Sequence, residues 1–170
     1  VDSDAPARVQ VIHNSPDPAA ATVDIYLDGG MMPAIDDLDF REATPFIDLP
    51  ANTPVTIGVA PGNSTGPGDV IASFPLSGLA GGVKYVVMAS GVLDPTAFDA
   101  SVNSIGFDLK ILAPARTSGT GNNVDLVAFH GSTDAPAVDV LANGGVLIPN
   151  LSFGEFSSYA SVPAASYLLE

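Results

Sequence analysis

Two histidines, His13 and His130, are the side chains best equipped for chemistry in a 170-residue chain that has no cysteine. Each opens the same pattern, His13-Asn14-Ser15-Pro16-Asp17 and His130-Gly131-Ser132-Thr133-Asp134. An imidazole with a carboxylate four residues on could serve as a metal ligand, or as a general base beside its acid. The same spacing suits a quieter role. A histidine at a strand end can hydrogen-bond the turn that follows, and Ser and Asp are natural partners for turn backbone. The structural role is the expected one, because a duplicated fold repeats its scaffold more readily than its active site.

A second candidate is the acidic run Asp36-Asp37-Leu38-Asp39 with Glu42, whose oxygens could collect around Ca²⁺. Its counterpart, Pro149-Asn150-Leu151-Ser152 with Glu155, keeps one carboxylate, and neither segment has the spacing of a calcium loop. Solvated charges on a sheet edge, which discourage pairing between molecules, explain the run equally well. No nucleophile elbow, Gly-rich phosphate loop or His-Glu-x-x-His is present. Carboxylate pairs for glycoside hydrolysis leave no local signature, because the partners stand far apart in sequence. Asn63-Ser64-Thr65 and Asn150-Leu151-Ser152 fit the N-glycosylation pattern. No catalytic, cofactor-binding or metal-ligating residue is assigned, and the expectation is a protein that is not an enzyme and holds no cofactor.

The charge balance narrows the partners. Nineteen acidic residues face five basic ones, a formal net charge of −14. Nucleic acid binding needs Lys and Arg to neutralise phosphates, and an anionic membrane surface makes the same demand. Both are disfavoured. Such a surface repels copies of itself and suits a salty medium that screens it. Without cysteine there are no disulfides or thiolate metal sites. No apolar run approaches the roughly 18 residues of a membrane span.

The elements that must carry these residues read as strands. Hydrophobic residues make up 46%, in short runs broken by 17 Gly and 15 Pro. Val, Ile, Phe and Tyr dominate those runs, and all of these suit a pleated surface. Strands are expected near 8–13, 22–28, 34–40, 44–49, 53–60, 69–75, 84–90 and 105–112, with at most one helical turn near Pro95-Thr96-Ala97-Phe98. Within the first, Val9, Val11 and His13 share a face by the period of two. Tyr85, after Leu79-Ala80-Gly81-Gly82, has the setting of a tyrosine corner, in which the hydroxyl bonds back to upstream backbone.

The chain also repeats itself. Val23-Asp24-Ile25-Tyr26-Leu27 is matched by Val138-Asp139-Val140-Leu141, and both strands run into a Gly pair. Leu38-Asp39-Phe40-Arg41-Glu42 is matched by Leu151-Ser152-Phe153-Gly154-Glu155, Phe46 by Tyr159, and Leu49-Pro50-Ala51 by Val162-Pro163-Ala164. The expected organisation is a first repeat over 1–113, a linker over 114–123, and the N-terminal half of a second repeat over 124–170. The expected fold is all-β, with antiparallel immunoglobulin-like (Greek-key) β-sandwich repeats. Half a sandwich would expose the apolar faces of Val138, Val140, Leu151 and Phe153. Cover is then expected from the remainder of a longer natural chain, or from strands donated by a neighbouring molecule.

The His-x-Ser-x-Asp start, the Val-Asp-Val/Ile strand, the Leu-x-Phe-x-Glu segment and the Leu/Val-Pro-Ala turn, in that order and doubled, resemble the family known as domain of unknown function 4397. The resemblance covers residues 7 to about 112 and 124 to 170. It implies a secreted β-sandwich, often in tandem, and supplies no catalytic residues. The polar start Val1-Asp2-Ser3-Asp4-Ala5-Pro6 is what signal removal would leave. Three functions follow as expectations. The first is a structural or adhesive module, secreted or at the cell surface, that associates with protein. The second is a subunit of an extracellular filament formed by strand exchange. The third is a carbohydrate-binding module for a surface glycan, which the absence of Trp and the presence of only four Tyr count against.

Overall fold

The computed structural model describes residues 3–98 and 103–170, so Val1 and Asp2 of the polar start lie outside the described residues. The chain divides into two compact units. One is Val1–Leu93 with Phe107–Ala115, and the other is Asp94–Gly106 with Arg116–Glu170. The segment 94–106 therefore clusters with the second unit rather than with the strands that flank it.

The first unit contains β1 (Ala7–Asn14), β2 (Thr22–Leu27), β3 (Ile35–Asp39), β4 (Ile47–Leu49), β5 (Val55–Pro61), β6 (Ala72–Leu76), β7 (Lys84–Ser90) and β8 (Asp108–Leu112). They form two four-stranded sheets, ordered β4-β1-β7-β8 and β3-β2-β5-β6. Alternation sets which face is buried. Ala7, Val9, Val11 and His13 of β1 turn inward with Val87 of β7, to meet Val23, Ile25, Ile57 and Val59 of the other sheet. The result is the expected sandwich. Its pairs are antiparallel except β1 with β7, which run parallel from Arg8↔Lys84 to Asn14↔Ser90. A parallel pair needs a long crossover, and here the chain supplies one by building the whole second sheet between the two strands.

The expected corner at Tyr85 is present, where the Ala80 N–H donates to the phenolic oxygen at 2.8 Å. Helical structure among the described residues is confined to 3-10 turns at Pro18–Ala20, Pro67–Asp69 and Pro95–Ala97, the last where one turn was expected.

The second unit contains β9 (Asn123–Leu126), β10 (Val138–Ala142), β11 (Gly145–Leu151) and β12 (Ala160–Pro163), paired β9 with β12 and β10 with β11. It repeats the first half of the first unit residue by residue. Ala7↔Leu49 recurs as Val124↔Val162, Val23↔Leu38 as Val138↔Leu151, and Ile12↔Ala43 as Phe129↔Phe156. The hairpin after β2 turns through Asp28 and Gly29 at φ 50° and 68°, and the one after β10 through Asn143 and Gly144 at 52° and 78°. Two successive positive φ angles define a turn that suits strand twist and favours Asn, Asp and Gly. Of the four side chains expected to lack cover, Leu151 is buried, and Val138, Val140 and Phe153 are half-buried.

Candidate functional site

Strand β1 delivers His13 to the interior, and the strand's end fixes what the ring can do. Its Nε2 lies 2.6 Å from the Ala20 carbonyl, and its Nδ1 accepts from the Ser15 N–H at 3.3 Å. A carbonyl only accepts and an N–H only donates, so the ring must be neutral with its proton on Nε2. Burial pushes the imidazole below its ordinary value of 6.5, against the smaller pull of the Ala20 carbonyl and the Asp39 charge. The Phe40 ring closes the site edge-on at 6.1 Å.

The other two motif residues reach 76 positions along the chain. Ser15 Oγ donates to the Gly91 carbonyl at 2.6 Å, and Asp17 Oδ2 accepts from the Leu93 N–H at 2.8 Å. Asp17 Oδ1 takes the Ala19 N–H and caps the turn Pro18–Ala20. The pattern His-x-Ser-x-Asp thus locks one loop to the strand end and clamps the segment leaving β7.

The second unit reproduces the histidine but not the clamp. His130 Nε2 lies 2.9 Å from the Pro136 carbonyl, and Nδ1 accepts from the Ser132 N–H at 3.3 Å. Phe153 stands edge-on at 6.2 Å, as Phe40 does in the first unit. Arg41 N–H to His13 carbonyl and His13 N–H to Glu42 carbonyl recur as Gly154 to His130 and His130 to Glu155. The Thr44 hydroxyl accepts the Val11 N–H, and Ser157 does the same for Ala128. Ser132 and Asp134, however, bond each other at 2.8 Å and are exposed.

The acidic run lies on β3, an edge strand. Asp36, Asp37 and Asp39 are exposed, and Glu42 follows just beyond the strand end. Asp39 Oδ1 accepts from the Thr22 hydroxyl, while the Asp37 backbone N–H is held by Asp24. Among the described residues, no group of three or more His, Asp or Glu side chains is arranged to hold a metal ion. Aromatic 46 and its match 159 are both covered by a guanidinium, Arg8 at 5.6 Å over Phe46 and Arg116 at 4.3 Å over Tyr159. Arg8 pairs with Asp48 across strands, whereas Arg116 reaches Asp125, which stands at the position matching Arg8. The Arg116 and Ser161 hydrogen bonds hold the Asp125 carboxyl below its usual range. Residue 116, in the segment read as a linker, is anchored within the second unit.

One constellation escaped sequence reasoning. Asp24 and Tyr26 alternate with the inward Val23 and Ile25, which marks them as outward residues, yet both are buried. The segment after β5 folds over them. Ser64 donates to Asp24 Oδ2 and lies 2.7 Å from the Tyr26 hydroxyl, and Val70 covers Gly58, where a Cβ would come within 3.0 Å of it. A cleft of about 390 Å³ opens beside this cover, bounded by Asp28, Thr56, Gly58, Pro67, Val70 and Ser73. The only signal for it was the Pro and Gly content of 61–68, which reads as loop without saying where the loop lies.

No curated protein and no solved structure matches the chain. Residues 124–170, within the second unit, match the family model described as a domain of unknown function, DUF4397.

Proposed function

We propose that this protein is a non-enzymatic structural or adhesive module, secreted or at the cell surface, built from two copies of that family. The observation that carries this reading is the state of its two histidines. Each spends both ring nitrogens on backbone groups, so no lone pair is left to take a substrate proton or ligate a metal without dismantling a strand end. Ser15 and Asp17 are likewise consumed by backbone. Residues 7–49 repeat the strand pairings and hydrogen bonds of the matched segment, which supports tandem copies of one fold. Secretion follows from what the family resemblance implies.

A second reading, a filament subunit assembling by strand exchange, is favoured by one observation. Strand β9 is bordered by β12 on one side and, among the described residues, by no strand on the other. Carbohydrate binding has less support. All four tyrosine hydroxyls are engaged internally, Tyr26 with Ser64, Tyr85 with Ala80, Tyr159 with Arg116 and Tyr167 with Pro163.

Electron microscopy of native material tests the choice, since polymers select the filament and dispersed particles the adhesive module. A glycan array run beside it tests the third possibility. Turnover of any substrate that disappears in His13→Gln while the fold persists would overturn the non-enzymatic reading.

A further inference from the structure

We propose that the cleft beside the covering loop of the first unit binds a primary ammonium carried on an aliphatic stem, with Asp28 as its counter-charge. This goes beyond the structural or adhesive role and does not depend on it. Three observations converge on the cleft.

The first is a charge that the fold does not require. Asp28 opens the turn after β2 at φ 50°, accepts the Thr56 N–H on Oδ1 at 2.7 Å, and donates its own N–H to the Thr56 carbonyl at 2.9 Å. Asn143 opens the matching turn of the second unit at φ 52° and makes the same two bonds with Leu168, at 2.9 and 2.8 Å. An amide oxygen therefore does all that the turn needs, and asparagine tolerates this backbone as aspartate does. What Asp28 adds is a negative charge.

The second is that this charge is fixed in place and unpaired. The two bonds to Thr56 hold the residue, and its Oδ2 meets no donor among the described residues. No Lys or Arg lines the cleft. Arg8, Lys110 and Arg116 pair elsewhere, with Asp48, Asp108 and Asp125.

The third is a cavity with fastened walls. Its volume is about 390 Å³, at the small end for a ligand cleft. Val70 and Pro67 supply apolar surface, and Thr56 and Ser73 carry hydroxyls. The loop that bears Val70 is tied down by Ser64 on Asp24, by the Thr65 N–H on Asp69 at 2.7 Å, and by the Ile71 N–H on the Val59 carbonyl at 2.8 Å. Such a site is formed before a ligand arrives, which lowers the cost of binding.

These features select the occupant. A carboxylate only accepts, so the ligand must donate, and a net charge of −14 draws cations and repels anions. Oδ1 is already engaged by Thr56, which spoils the two-oxygen grip that suits a guanidinium. An ammonium is a point charge that one carboxylate oxygen and neighbouring hydroxyls can satisfy. Val70 and Pro67 would cover its methylenes. A free aliphatic amine and the lysine side chain of a partner protein share this chemistry.

The test maps amide chemical shifts of the full chain with n-butylammonium, and with Nα-acetyl-lysine N-methylamide to represent a protein-borne lysine. 1-Butanol and butyrate are the neutral and anionic controls. Saturable shifts confined to residues 26–29, 56–58 and 70–73 are expected with the ammonium probes and with neither control. Butylammonium acting alone assigns the site to free amines, and the lysine derivative acting as well extends it to a partner's side chain. Asp28→Asn should weaken binding about threefold to fivefold, as loss of one solvated charge pair does, with no change in thermal midpoint. Ser73→Lys is an independent variant at an exposed position, and its tethered ammonium should block the added probe even if Asp28→Asn fails to fold. Equal shifts with butanol would leave only an apolar cleft, and shifts spread over every exposed carboxylate would leave only the attraction of an acidic surface. Either result overturns the proposal, as does undiminished binding by Asp28→Asn or by Ser73→Lys.

Discussion

At His13 a donor faces Nδ1 and an acceptor faces Nε2, so a second proton has nowhere to go. It would sit on Nδ1 against the Ser15 N–H, in a site that burial already makes hostile to charge. The folded-state value is therefore below the unfolded one, near 6.5, and the unfolded chain binds the proton first. Stability is complete above that value and falls as pH drops through and below it. Thermal unfolding scanned from pH 8 to 5 should show a midpoint that is flat at first and then declines, with His13→Gln reducing the decline. The lowered carboxyls of Asp69 and Asp94, each held by a threonine, act with the same sign at lower pH, below the ordinary carboxylate value of 3.8. Sulfur offers a second test at this scale. Met31 and Met32 are each 80% exposed at a hairpin tip, and Met88 is 8% exposed. Hydrogen peroxide should add oxygen to the first two at least about tenfold faster, which peptide mass mapping reads directly. The motif revealed a strand-end histidine from its own neighbourhood. The roles of Ser15 and Asp17 were hidden because their partners lie at Gly91 and Leu93, and no local pattern reports a contact of that span.

Strands were legible wherever one face is buried and the other is wet. β1 and β7 appear within a residue of where alternation puts them, and the edge position of β3 agrees with its charges. β2 misled because it is buried on both faces, with the second face covered by the loop after β5. Its polar residue must then be satisfied internally, and Asp24 is, by the Asp37 N–H and the Ser64 hydroxyl. Asp139 holds the equivalent place on β10, takes only the Asn150 N–H and is exposed. Asp24→Ala should therefore cost about 2–3 kcal/mol, because it strands a buried donor and uncouples the covering loop, and Asp139→Ala about 1 kcal/mol or less. Urea unfolding of the two variants compares one substitution in two settings. Equal losses would show that the cover over β2 contributes nothing. The corner at Tyr85 gives a third variant, since Tyr85→Phe removes the bond from Ala80 and should lower stability by about 1 kcal/mol.

The two units hold very unequal cores, and this governs how the whole chain opens. The main buried cluster, from Ala7 to Val87, belongs wholly to the first unit, where two four-stranded sheets close on each other. In the β10–β11 hairpin the buried aliphatic side chains are Ile148 and Leu151. Each fully buried aliphatic side chain brings about 1.5–3 kcal/mol, so the difference between the units exceeds the margin by which small domains are stable. The doubled motifs were readable because both copies use the same turns and hydrogen bonds. The difference in core was not, because burial depends on which strands stand opposite. The net charge of −14 weighs on both units, and salt that screens it should raise the unfolding midpoint of each. Denaturant should then act in two steps, with amides of 124–163 exchanging freely while those of β1, β2, β5 and β7 remain protected. Hydrogen exchange along a urea series, read peptide by peptide, measures both steps in one sample. A single transition with uniform protection would mean that the second unit draws its stability from the first, and the unequal cores would then have no consequence for how the chain unfolds.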